Sequence, residues 1–129
     1  STSATFTSAR IVGFHAQQVD IVPLVRSGTY TKGLTASTAL ARTFKVMVPP
    51  GMDHLAVEAA GMDTGSPAGS MKVAARKGSP PTATEFGCAS SDFRSYNSCW
   101  VLDPAPGVWY VTMTPSGAYR DLAMFVEAL

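Results

Sequence analysis

The chain has 129 residues and a mass of 13.5 kDa, enough for one domain burying about two-thirds of its unfolded surface and too short for a two-domain enzyme. Ten basic residues against nine acidic ones leave a net charge of +1 with 15% of residues charged, which excludes the basic footprint of a nucleic-acid or anionic-membrane binder. With 13 Ser, 13 Thr, 11 Gly and 9 Pro, and no apolar run near the roughly 18 residues of a membrane span, the sequence reads as a turn-rich soluble globular protein.

Residues 1–8 are rich in Ser and Thr and read as a linker or a frayed start; the polar Ser1, Thr2 and Ser3 do not read as a signal peptide, so an exported protein would be in its processed or excised form. Short apolar runs at 11–14 and 19–22, the second ended by Pro23, fit two strands or one strand and an extended lead-in. Between 42 and 48 the residues alternate, with Phe44, Val46 and Val48 on one face and Thr43, Lys45 and Met47 on the other, until Pro49, Pro50 and Gly51 force a turn. Residues 53–61 are ambiguous. Asp53 could cap a short helix that Gly61 ends, but period-two spacing of Leu55, Val57 and Ala59 favours a strand, since nine residues make a marginal helix.

After a polar turn at 62–70, Met71, Val73 and Ala75 alternate as a strand that the stretch 76–82 breaks. Another strand begins at Cys99 and runs to Leu102, and the turn at 103–107 launches a strand with Trp109, Val111 and Met113 on one side. A final strand places Leu122, Met124 and Val126 inward. Several short strands between frequent turn signals predict an all-β fold, an antiparallel β-sandwich.

The two cysteines, Cys88 and Cys99, bracket a Ser-rich segment. Zinc would need more ligands, and the nearest histidine, His54, lies 34 positions upstream. Two free thiols in a cytosolic domain are the alternative to the favoured reading, a disulfide that closes a short loop, contributes about 3 kcal/mol and implies an oxidising compartment.

The order of the pieces carries a further implication. Residues 27–37 lead into Thr43, Phe44, Lys45, Val46, Met47, Val48, Pro49, Pro50 and Gly51, then Leu55, Ala56 and Val57. There follow the stretch 73–82, the Cys88 and Cys99 pair, and Pro106, Gly107, Val108, Trp109, Tyr110 and Val111. From about residue 24 to the end this succession resembles the bacterial pre-peptidase C-terminal domain, a module found after the catalytic domains of secreted proteases and related to the collagen-binding modules of bacterial collagenases. The resemblance implies a jelly-roll-like sandwich over 24–129, with 1–23 a linker or an N-terminal strand extension. It implies a secreted, non-catalytic accessory domain, a monomer linked to a catalytic domain, that attaches to insoluble protein substrate such as collagen or aids secretion and maturation. Two departures matter. Lys72, Val73, Ala74 and Ala75 stand where the family favours an acidic and aromatic segment, and no acid occurs between Asp20 and Asp53. Calcium prefers about six to eight oxygen ligands, so no tight metal site and no cofactor are expected.

No catalytic motif is present: Gly65, Ser66, Pro67, Ala68 and Gly69 misplace the serine of a nucleophile elbow, and neither a zinc-protease nor a phosphate-loop pattern occurs. His15 and His54 are the only histidines, the latter reading as a solvated or capping residue, and Glu58 and Asp63 read as surface charges rather than a glycosidase pair. Arg76 and Lys77, adjacent in a strand, must point to opposite faces and read as solvated flanks. Aromatic residues are the better lead. Tyr110 should face outward if Trp109 faces the core, while Phe93, Tyr96 and Trp100 lie in or beside the loop between the cysteines. Presented on a rigid support, Tyr96, Tyr110, Trp100 and Phe93 could stack on a polysaccharide or lie against a collagen helix. The alternative is that Phe93 and Trp100 merely pack the loop onto the sandwich. A carbohydrate-binding module and a structural domain with no ligand are the rival functions.

Overall fold

Period-two alternation organises the chain as the sequence predicts. The computed structural model describes residues 19–25, 29–61 and 69–129, and they form nine strands: β1 (Val19–Val25), β2 (Thr29–Ala36), β3 (Ala41–Val48), β4 (His54–Gly61), β5 (Met71–Lys77), β6 (Cys88–Ala89), β7 (Tyr96–Leu102), β8 (Gly107–Pro115) and β9 (Tyr119–Ala128). One sheet has the order β1-β3-β8-β5-β6 and the other β2-β9-β4-β7. All pairings are antiparallel except β1 on β3.

The pairs β2/β9, β3/β8, β4/β7 and β5/β6 nest inside one another. This is one long hairpin folded over into two layers, the jelly-roll arrangement, with the β5–β6 connection at its tip and β1 added at one edge. Between the layers lie Phe44, Val46 and Val48 of β3, Leu55, Val57 and Ala59 of β4, Met71, Val73 and Ala75 of β5, Trp109, Val111 and Met113 of β8, and Leu122, Met124 and Val126 of β9. Each large apolar side chain buried here contributes about 1.5–3 kcal/mol relative to exposure. The disulfide between Cys88 and Cys99 joins β6 in the first sheet to β7 in the second, so it staples the layers together.

Several elements differ from the sequence reading, each for a local reason. β1 runs through Pro23 instead of stopping there; β1 is an edge strand whose register shifts between Ile21 and Leu24, and an edge or a bulge can spare the proline's missing N–H. β2 had no strand signal, because its Thr-, Lys- and Gly-containing sequence is paired to β9 through two register shifts. The 53–61 ambiguity resolves as a strand. β7 starts three positions earlier than Cys99, which moves Tyr96 from the loop onto the sheet. Thr43 points away from the core yet is buried, its hydroxyl 3.0 Å from that of Thr112 on β8. The apolar run at 11–14 and His15 lie outside the described residues.

Candidate functional site

β7 is the edge of the second sheet, and its alternation decides what is offered to solvent. Asn97 and Cys99 point inward and are buried, while Tyr96, Ser98, Trp100 and Leu102 point outward. Tyr96 is 55% exposed, Trp100 54% and Leu102 74%. At the strand's rise per residue the two aromatic positions stand about 13 Å apart along one face. The β4 register sets Ala60 beside Tyr96, Glu58 beside Ser98, Ala56 beside Trp100 and His54 beside Leu102. On the far side of that lane β9 places Phe125 against Glu58 and Glu127 against Ala56. The outer face of the second sheet is therefore a shallow lane of Ala56, Glu58 and Ala60 between a ridge of Tyr96 and Trp100 and the half-buried Phe125.

Two features hold this ridge in place. The His54 ring stacks on the Trp100 indole, centroids 4.8 Å apart and planes 17° from parallel, which fixes the indole before any ligand arrives. His54 is thus an aromatic support for its neighbour. Beneath the start of β7, the buried Asn97 side-chain amide donates to the carbonyls of Met71 at 2.8 Å and Asp92 at 2.6 Å, tying the loop at 90–95 to β5. With the adjacent disulfide this makes a rigid base. A shallow hollow of about 410 Å³ lies between that loop and the edge of β7, lined by residues that include Ser91, Asp92, Arg94, Tyr96 and Ser98.

The four aromatics expected at a binding surface do not converge. Tyr110 lies on the outer face of the other sheet, half-buried in a row with Lys45 and Arg76, the Lys45 ammonium 5.9 Å from its ring centre. Phe93 sits in the loop with the Lys72 ammonium 4.5 Å above its ring. A cation so placed contributes about 0.5–1 kcal/mol at an exposed site, so each of these rings has a structural partner already. Arg76 pairs with Glu85 at 2.6 Å, and Lys77 is exposed. Sequence reasoning missed His54 and Phe125 as members of the ridge and lane. The first is settled by cross-strand register and the second by β9 lying between β2 and β4, neither of which periodicity reveals.

Among the described residues no group of three or more His, Cys, Asp or Glu side chains could hold a metal ion. Comparison of the sequence with family models finds no match, and comparison with curated proteins finds none either. The fold does have solved counterparts. The chain is similar to the pre-peptidase C-terminal domain of a collagenase from Bacillus anthracis, with a TM-score of 0.59 over 91% of this chain and 100% of that one at 7% identity. It is also similar to PliG of Aeromonas hydrophila, a periplasmic inhibitor of g-type lysozyme, with a TM-score of 0.50 over 85% of this chain and 100% of that one at 13% identity. At these identities the likeness is one of fold.

Proposed function

We propose that this chain is a non-catalytic accessory domain of a secreted protease, which holds a linked catalytic domain against insoluble protein substrate through Tyr96 and Trp100. The observation that carries the reading is the pair of half-exposed aromatic side chains on one face of β7, braced by His54 and by the Cys88–Cys99 staple. Rigid aromatic anchors lose little conformational entropy on binding, which suits attachment without chemistry. The fold shared with a collagenase's pre-peptidase C-terminal domain supports the accessory role, and the disulfide supports an extracellular or periplasmic setting.

The test is retention of the isolated chain on insoluble collagen, elastin, chitin and cellulose. Retention on the protein matrices is expected, with a loss of about tenfold or more in affinity for Tyr96→Ala combined with Trp100→Ala, as for central aromatic anchors elsewhere. Retention on a glycan alone would make the domain a carbohydrate-binding module. Loss on Tyr110→Ala, with no effect of the paired change on β7, would move the surface to the opposite sheet.

A further inference from the structure

Four strands lie at sheet edges in the described structure: β1, β6, β2 and β7. An open edge offers unpaired N–H and C=O groups to any extended chain, and native sheets blunt such edges with bulges, proline, charge or short length. Three of the four carry such a device. β1 contains Pro23 and a register shift, β2 has two register shifts, and β6 is two residues long. β7 carries none. Its sequence from Tyr96 to Leu102 contains no charge, proline or glycine, and its ladder with β4 runs from His54↔Leu102 to Ala60↔Tyr96 without a shift.

The direction of its backbone groups is fixed by the ends of that ladder. The Gly61 N–H donates to the Ser95 carbonyl, and the Asp103 N–H donates to the Asp53 carbonyl. In an antiparallel pair the N–H and C=O of one residue point the same way and alternate residues point opposite ways. The odd-numbered residues of β7 therefore face β4. Tyr96, Ser98, Trp100 and Leu102 turn their backbone N–H and C=O groups to the open edge, where they have no backbone partner among the described residues. These are the same four residues whose side chains form the outward row. The hollow lies beside Tyr96 and Ser98, at the first half of this edge, with Ser91, Asp92 and Arg94 as its far wall.

We infer that the β7 edge binds an extended polypeptide segment as an additional strand of the second sheet. Occupant and geometry follow from the chemistry. Donors and acceptors at a two-residue repeat match only another extended backbone. An added strand would place alternate side chains beside Tyr96 and Trp100, where aromatic and β-branched residues pair well. The absence of charge on β7 selects an uncharged segment. A proline-rich chain, lacking N–H donors, and a polysaccharide, lacking the repeat, do not fit. A second copy of the sandwich would have to bring its own 90–95 loop past the one that already walls the hollow. The inference shares Tyr96 and Trp100 with the attachment reading but does not depend on it.

The experiment is amide hydrogen exchange by NMR on the full chain, with an end-capped heptapeptide of alternating Thr and Val around a central Tyr as probe. Exchange at Tyr96, Ser98, Trp100 and Leu102 is expected to slow by about tenfold or more at saturation, with little change at the odd-numbered positions already paired. The fully N-methylated peptide, with the same side chains and no donors, should give no protection. Ser98→Pro removes an edge donor that β4 does not use, at a position where an edge strand tolerates proline, and should abolish binding; Ser98→Lys, which adds a charge without touching the backbone, should weaken it. Protection that survives N-methylation of the peptide, equal protection by chitohexaose, or concentration-dependent protection without any peptide would overturn the inference, the last in favour of self-association. Retention on insoluble matrix measured in parallel separates the two readings, since either can fail while the other stands.

Discussion

Gly87 occupies a position that no larger residue fits. A Cβ there would stand 2.8 Å from Cζ3 and 3.2 Å from Cη2 of the Trp109 indole. That ring cannot yield cheaply, because it is buried in the core and its Nε1 donates to the Ala105 carbonyl at 2.9 Å. Gly87→Ala should therefore destabilise the fold by about 1–3 kcal/mol, the usual cost of overpacking, as a lower midpoint in urea with an unchanged slope. An unchanged midpoint would mean that the indole shifts freely. At this scale the inward side of each alternating strand was legible. Trp109, Val111 and Met113 fall where period two puts them, and Tyr110 faces out as a consequence. Neither the Gly87–Trp109 contact nor the His54–Trp100 stack was legible, since both join residues that only tertiary pairing brings together.

Among the elements, the strands that alternate cleanly, β3, β5, β8 and the inward row of β9, could be read from sequence because each has one face in the core. β2 and β6 could not: the first owes its place to β9 and the second is two residues held by β5 and the disulfide. The same disulfide sets a prediction at this scale. β6 and β7 belong to different sheets, and the covalent link between Cys88 and Cys99 spans an 11-residue separation. In the chain-entropy model, cutting a loop of that size costs about 3 kcal/mol. Reduction, or paired Cys88→Ala and Cys99→Ala changes, should lower unfolding free energy by about that amount and increase amide exchange at 90–98 before the rest of the sandwich opens. Uniform exchange across all strands would instead make the staple a global brace. Trp100, next to Cys99, should lose part of its fixed orientation, so retention on insoluble matrix should fall along with stability.

Among the described strands, several charged side chains sort by the sheet they decorate. Lys45, Lys72 and Arg76 stand on the outer side of the first sheet, whereas Glu58 and Glu127 stand on that of the second. Elsewhere Glu85 is committed to Arg76, and Asp92 lies 3.6 Å from Arg94. Glu58 and Glu127 are diagonal neighbours on adjacent strands, and with no third acid beside them among the described residues two carboxylates fall well short of the about six to eight oxygens that calcium takes. A site with micromolar affinity would raise unfolding free energy by about 4 kcal/mol at about 1 mM calcium, a thousandfold above its dissociation constant, and would move the thermal midpoint by several degrees. Identical midpoints in calcium and in a chelator are the expected result, with no heat on titration. A calcium-dependent rise would place a ligand set at Asp20 or Asp63, the acids whose side chains lie outside the described structure. The proposed attachment through Tyr96 and Trp100 has a physical consequence of its own: it rests on aromatic contact rather than on charge. Binding should therefore persist in high salt, where screening would remove an electrostatic contribution.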